Sequence, residues 1–62
     1  MSIKVVLVDE HAILREGLAS LINRETDMKV VGEASNGIEA LQMTEKLIPD
    51  VVIIDIQISG LD

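Results

Sequence analysis

The sequence predicts an α/β fold, a doubly wound parallel sheet with helices on both faces. Short β-branched apolar runs alternate with segments whose apolar residues recur at helical spacing, in the order β-α-β-α-β. Parallel strands need crossover connections, and such crossovers are right-handed. If the first strand is central, the two helices cover opposite faces of the sheet. The strand order is then 2-1-3.

The predicted elements follow in order along the chain. They are a strand over Ile3–Val8, a helix over Ala12–Arg24, a strand over Lys29–Ala34, a helix over Gly37–Leu47 and a strand within Asp50–Asp55. Asn36 and Glu39 have the spacing of a helix N-cap and its reciprocal acid, and Pro49 ends the second helix. Gly32 either weakens the second strand or allows a close approach.

Each helix is predicted to bury one apolar stripe. The first stripe is Leu14, Leu18, Leu21 and Ile22, and the second is Ala40, Leu41, Thr44, Leu47 and Ile48. We also expect Met28 and Met43 to be packing residues.

Composition excludes several classes of function. The 62 residues make at most one small domain, and a chain of this length buries only about 60% of its unfolded surface. The net charge is −6, with five scattered basic residues and no aromatic residue, so direct nucleic-acid binding by this segment is not expected. Apolar runs are far shorter than a membrane helix needs, and there is no signal-peptide pattern or cysteine. A cytoplasmic protein with no membrane segment is expected.

Carboxylates follow two strands that the predicted order makes neighbours. Asp9 and Glu10 end the first strand and Asp55 ends the third, so we expect all three beyond the carboxyl ends of the sheet. Grouped carboxylates repel one another, and Mg²⁺ removes the conflict because it prefers oxygen ligands. An Asp in such a group can accept a phosphoryl group. For His11, a packed or helix-start position is favoured over metal ligation.

The stretches VVLVDEHAILREGLASLI, VVGEASNGIEAL and PDVVIIDIQISGLD resemble the receiver domain of bacterial two-component response regulators of the NarL/FixJ (LuxR-type) subfamily. The resemblance covers residues 1–62 and implies the N-terminal part of a flavodoxin-like (CheY-like) domain. It implies Mg²⁺ binding and phosphotransfer from a sensor histidine kinase to Asp55. By position, Asp9 and Glu10 match the metal-holding acids, and Gln57 matches the residue whose backbone carbonyl binds Mg²⁺. It also implies homo-oligomers, and DNA binding only through a C-terminal helix-turn-helix domain absent from this chain.

The chain departs from the family pattern at two places. The family's second acid is usually Asp, whereas Glu10 is one methylene longer, and the usual Met-Pro-Gly is replaced by Ile58, Ser59 and Gly60. The family's Ser/Thr, Lys and aromatic switch residues match positions beyond residue 62. One alternative is a pseudo-receiver that acts by dimerisation without phosphorylation. A cobalamin- or flavin-binding domain is the other, but Leu14 breaks the cobalamin motif and flavin sites ordinarily use aromatic residues.

Overall fold

Three parallel strands form one sheet with β1 at its centre. The structure is a computed structural model, and it describes residues 2–55. The elements are β1 (Ile3–Val8), α1 (Ala12–Asn23), β2 (Met28–Ala34), α2 (Gly37–Leu47) and β3 (Val51–Ile54). The strand order is β2-β1-β3, which confirms the predicted fold class and order. Every predicted boundary lies within one residue of the observed one.

The core of the molecule lies on the two faces of β1. Four consecutive residues of this strand, Val5 to Val8, are at most 2% exposed. Because successive side chains of a strand point to opposite faces, Val5 and Leu7 pack with Ala19 of α1, while Val6 and Val8 pack on the α2 side. An uninterrupted apolar run is what a strand covered on both faces requires.

The helices bury narrower stripes than the periodicity predicts. In α1, Leu18, Ala19 and Ile22 pack against β1 and β2, whereas Leu14 and Leu21 are 52% and 58% exposed. The prediction for these two leucines was wrong, because α1 rests on β1 and β2 through the face centred on Ala19.

The same correction applies to α2. Ala40, Met43 and Leu47 pack against the core, and Thr44 is half-buried, but Leu41 and Ile48 are 62% and 75% exposed. Helical periodicity identifies an apolar side of a helix, but the neighbouring strands decide how much of that side is covered. Met28 and Met43 are packing residues, as predicted.

Gly32 lies beneath two side chains of α2, Met43 and Leu47. The pairing of β1 with β2 shifts register at this point, with Val5 opposite Val30 and Val6 opposite Gly32. A Cβ atom placed on Gly32 would lie 2.8 Å from Leu47 Cδ1 and 3.0 Å from Met43 Sδ. The missing side chain therefore permits the close approach that the sequence suggested.

Both ends of α2 have local hydrogen-bonded caps. Asn36 is the N-cap and accepts a hydrogen bond from the Glu39 backbone N–H at 2.9 Å. The predicted partner of the Glu39 carboxylate is the backbone N–H of the N-cap, Asn36. The carboxylate instead accepts hydrogen bonds from the preceding residue, from the Ser35 backbone N–H and hydroxyl, both at 2.8 Å. Ile48 ends the helix in the left-handed region, with φ at 46°, directly before Pro49.

β3 lies at an edge of the described sheet. It pairs with β1 from Val51 to Ile54, and within residues 2–55 no strand pairs with its other side. Val51, Ile53 and Ile54 are 41–42% exposed. Among the described residues, no helix is both long and apolar enough to span a membrane.

Candidate metal and phosphoacceptor site

The ends of β1 and β3 place two carboxylates side by side. Val8 is paired with Ile54, so the next residues, Asp9 and Asp55, leave the sheet at the same level. The Asp55 backbone N–H donates to the Val8 carbonyl at 2.9 Å, and the Asp9 N–H donates to the Ala34 carbonyl at 3.0 Å. Three strand ends are thus tied together by backbone hydrogen bonds directly beneath the two acids.

Asp9, His11 and Asp55 form one group of side chains. One ring nitrogen of His11 and one carboxylate oxygen from each Asp lie within 4.8 Å of one another. Asp9 is buried at 6% exposure, Asp55 is half-buried, and His11 is exposed. Glu10 is exposed and does not belong to this group. The structure therefore brings together two of the three predicted carboxylates and adds a histidine.

The Asp9 carboxylate is held in its charged form by its neighbours. Its Oδ1 accepts a hydrogen bond from the His11 backbone N–H at 2.8 Å, which is the main cause of a lowered pKa for Asp9. The His11 ring nitrogen, 3.0 Å away, and the charge of Arg15 lower this pKa further, while burial opposes the shift. Asp9 is therefore an anion at neutral pH.

Arg15 connects the site to the rest of the sheet. Its Nη1 donates to the Asp9 carbonyl at 2.6 Å, and its Nε donates to the Glu33 carboxylate at 3.0 Å. The Arg15 side chain is only 18% exposed. A planar guanidinium can form both bonds at once, so it fixes the turn after β1 relative to α1 and β2.

A shallow crevice of about 150 Å³ opens beside the acids. Asp9, Arg15 and Asp55 supply its polar lining, and apolar side chains of β1, α1 and β3 supply the rest. The crevice has room for a small ion with its waters or for a small anion.

The donor set fits a divalent cation that prefers oxygen. Two carboxylates that meet at the surface, one buried and one half-buried, match the way Mg²⁺ is bound, through one or two carboxylates and several waters. Gln57, the residue expected to supply a backbone carbonyl, lies outside the described residues, as do Ile58, Ser59 and Gly60.

Parallel strands in the order β2-β1-β3, with α1 and α2 on opposite faces, make this a doubly wound α/β domain, a class that binds ligands beyond the carboxyl ends of its strands. The sequence matches the family described as the response regulator receiver domain over residues 5–62. The chain belongs to this family.

Similar proteins agree with the family assignment. The chain is 40% identical over 60 residues to the transcriptional regulatory protein LiaR of Bacillus subtilis, covering 97% of this chain and 28% of LiaR. It is 40% identical over 58 residues to the nitrate/nitrite response regulator NarL of Escherichia coli, covering 94% of this chain and 27% of NarL. The response regulator domain of Thermotoga maritima CheB superposes with a TM-score of 0.94 at 40% identity, over 100% of this chain and 46% of that one.

These comparisons confirm the predicted family and its CheY-like fold. The chain spans less than a third of the LiaR and NarL sequences, so the activities of those whole proteins do not transfer directly. Sequence reasoning did not identify the Arg15 bridge or the place of His11 beside the acids. The spacing of Asp9, His11 and Arg15 within seven residues was the available signal, but only the fold shows that Glu33 and Asp55 meet them.

Proposed function

We propose that this chain is the phosphoacceptor part of a response-regulator receiver domain, and that Asp55 accepts the phosphoryl group. The observation that supports the proposal best is the position of Asp55 beside the buried anion Asp9, at the carboxyl edge of a receiver-type sheet. Asp55 is the more accessible of the two carboxylates, as an acceptor must be.

The proposed reaction is a phosphoryl transfer between two groups. An Asp55 carboxylate oxygen attacks phosphorus, a new P–O bond forms, and the bond from phosphorus to the donor breaks. The electron pair of that bond leaves with the donor, either a histidine nitrogen of a sensor kinase or the leaving group of a small phosphodonor.

Charge is the main obstacle to this transfer. Mg²⁺, when bound, would offset the negative charge on the oxygens around phosphorus. We propose that Asp9, Glu10 and Asp55 hold the cation together with the Gln57 backbone carbonyl. Asp9 suits this role because the hydrogen bonds from His11 and the tie to Arg15 keep it charged and fixed before the cation arrives. Glu10 is exposed and lies outside the group of Asp9, His11 and Asp55, so its carboxylate must come closer to that group to contribute.

The partners and location proposed for the whole protein follow from the family. We propose a sensor histidine kinase as the phosphodonor, self-association, a cytoplasmic location, and regulation of transcription through a separate DNA-binding domain. The net charge of −6 supports the view that this part of the protein does not itself contact DNA. Its only proposed chemistry is transfer to and from its own Asp55, so it is not expected to act as an enzyme on other substrates.

A phosphorylation-independent pseudo-receiver that works by dimerisation is the second candidate. The placement of Glu10 outside the group of Asp9, His11 and Asp55 is the observation that favours it. The two candidates differ in one simple property, since a phosphoacceptor binds Mg²⁺ at this edge and a pseudo-receiver need not. Calorimetric titration of the full-length protein with Mg²⁺ separates them.

The decisive experiment is phosphorylation of the full-length protein by a labelled small phosphodonor. Asp55→Asn is expected to abolish labelling, because an amide oxygen is a poor nucleophile. Asp50→Asn is the matched control, since Asp50 lies at the opposite end of β3, where its carboxylate accepts from the Lys4 backbone N–H. Unchanged labelling of the Asp55 variant would overturn the proposal, as would equal loss in both variants.

A further inference from the structure

The outer edge of β2, the side of this strand that faces away from β1, carries a side-chain contact with no part in the proposed phosphotransfer. Within residues 2–55, β2 pairs with β1 alone, so its other side is an edge of the sheet. We propose that the Asn23 side chain plugs this edge and keeps it closed to strand addition by the β2 strand of a second copy of this chain. The inference does not depend on the proposed function, because β1 separates this edge from β3 and Asp55.

The backbone hydrogen bonds of β2 show which of its groups face outward. The Ile3 N–H donates to the Asp27 carbonyl at 2.7 Å, so the backbone groups of Asp27 point toward β1. In parallel strands, the backbone groups of successive residues point alternately to the two sides. Those of Lys29 therefore point toward β1 as well, and those of Val30 point away from the sheet.

Asn23 occupies the outward-facing N–H of Val30. The Asn23 Oδ1 accepts a hydrogen bond from this N–H at 2.8 Å. Asn23 is the last residue of α1, and the N–H groups of Arg24 and Glu25 donate to carbonyls of the last turn of that helix, which fixes the chain as it leaves α1. The side-chain oxygen takes the place that a carbonyl oxygen of a neighbouring strand would take. Another strand can therefore pair at Val30 only by displacing Asn23.

The sequence of β2 determines which strand would fit this edge. The register shift at Val31 ends the regular spacing, so Met28 and Val30 are the outward-facing residues before it. Two antiparallel copies of β2 related by a two-fold axis at Lys29 would pair Met28 of each copy with Val30 of the other, and such a pair is closed. A second copy thus matches the edge by its own symmetry.

The same pairing shows that β2 has further protection besides Asn23. The two-fold axis would place the exposed Lys29 of each copy opposite its own counterpart, and like charges directly opposite each other are destabilising. Bulges and lysine side chains are common means of protecting sheet edges. Asn23 is the part of this protection that competes directly for a backbone hydrogen bond.

One substitution removes the plug without disturbing the core. Asn23 is exposed at the end of α1, and alanine is a good helix former, so Asn23→Ala is expected to fold. Asn23→Asp keeps an oxygen acceptor for Val30. Arg24→Ala shortens the next side chain, which is also exposed, and is the matched control.

The experiment measures hydrogen exchange at the Val30 amide in the full-length, unphosphorylated protein, in dilute and in concentrated solution. In dilute solution, exchange in Asn23→Ala is expected to be about threefold to tenfold faster than in the wild type, the effect of losing one hydrogen bond. As the concentration rises, this exchange is expected to slow again, and sedimentation velocity should show association beyond that of the wild type. Asn23→Asp and Arg24→Ala are expected to match the wild type in both measurements.

Lys29→Thr provides a second measurement. Alone, it leaves Asn23 in place and is expected to change neither the exchange at Val30 nor the sedimentation. Combined with Asn23→Ala, it removes the opposed charges and is expected to tighten the association by about threefold relative to Asn23→Ala alone.

Three results would overturn the proposal. The first is unchanged exchange at Val30 in Asn23→Ala. The second is faster exchange in that variant with no dependence on concentration and no added association, because Asn23 would then only satisfy a backbone group. The third is added association of Lys29→Thr alone, since the edge would then be open with Asn23 in place.

Discussion

Side chains of α2 pack closely over Gly32 of β2, and Gly32→Ala tests that packing. To restore an ordinary contact of 3.4 Å to the new Cβ, Leu47 Cδ1 must move by 3.4 − 2.8, or 0.6 Å, and Met43 Sδ by 3.4 − 3.0, or 0.4 Å. Overpacking a core costs about 1–3 kcal/mol, and the lower end applies because both atoms lie near the ends of flexible side chains. Alanine also restricts the unfolded chain, which raises the free energy of unfolding by about 0.4–1 kcal/mol. We therefore expect Gly32→Ala to lower the free energy of unfolding by about 0–0.6 kcal/mol.

Gly17→Ala is the matched control, because nothing lies within 4 Å of a Cβ placed on Gly17. Gly17 lies inside α1, where alanine is expected to stabilise by about 0.5–1 kcal/mol. The two variants of the full-length protein should thus differ by about 0.5–1.6 kcal/mol in urea unfolding followed by circular dichroism, at unchanged m-value. If Gly32→Ala stabilised the protein as much as Gly17→Ala does, the close packing of α2 over Gly32 would be contradicted.

Two further predictions concern acid stability and the edge of the sheet. Hydrogen bonds from the Ser35 backbone N–H and, to a lesser extent, its hydroxyl lower the pKa of Glu39 below 4.5 in the folded protein. The charged Glu39 carboxylate therefore stabilises the fold at pH values above the pKa it has in the unfolded chain, and this stabilisation is lost as the pH falls through the pKa of the folded state. Glu39→Gln keeps an acceptor for Ser35 but cannot titrate. Between about pH 6 and pH 3, its free energy of unfolding in urea should therefore fall by less than that of the wild type. An equal fall in the two proteins would contradict this prediction. The isolated chain of residues 1–62 is expected to be poorly folded or to self-associate through Val51–Ile54, since apolar strand edges recruit other chains. Sedimentation equilibrium showing a well-folded monomer at high micromolar concentration would refute that expectation.

The fold could be predicted from the sequence because its signals are local. β-branched runs, helical spacing and caps such as Asn36 each occupy a few consecutive residues, and the alternation of elements then restricts the topology. The extent of helix burial could not be predicted in this way. Leu14 and Leu41 belong to apolar stripes, but their exposure depends on which strands each helix rests on, and that is a property of the assembled sheet.

The candidate site was predictable only in part, for a similar reason. Topology alone brings Asp9 and Asp55 together, because the ends of neighbouring parallel strands share one edge. The contact of Arg15 with Glu33 spans 18 residues and depends on how α1 lies across β2. The position of His11 depends on the turn in which Asp9 accepts its backbone N–H. Neither contact follows from a motif alone.

Chemical trapping of the phosphorylated residue tests the central claim most directly. An aspartyl phosphate is reduced by borohydride to homoserine, and tandem mass spectrometry can then locate the altered residue in the full-length protein. After incubation with Mg²⁺ and a small phosphodonor, we expect homoserine at position 55, and none when the phosphodonor is omitted. Homoserine at Asp9, or at another acid in place of Asp55, would contradict the assignment of Asp55 as the phosphoacceptor.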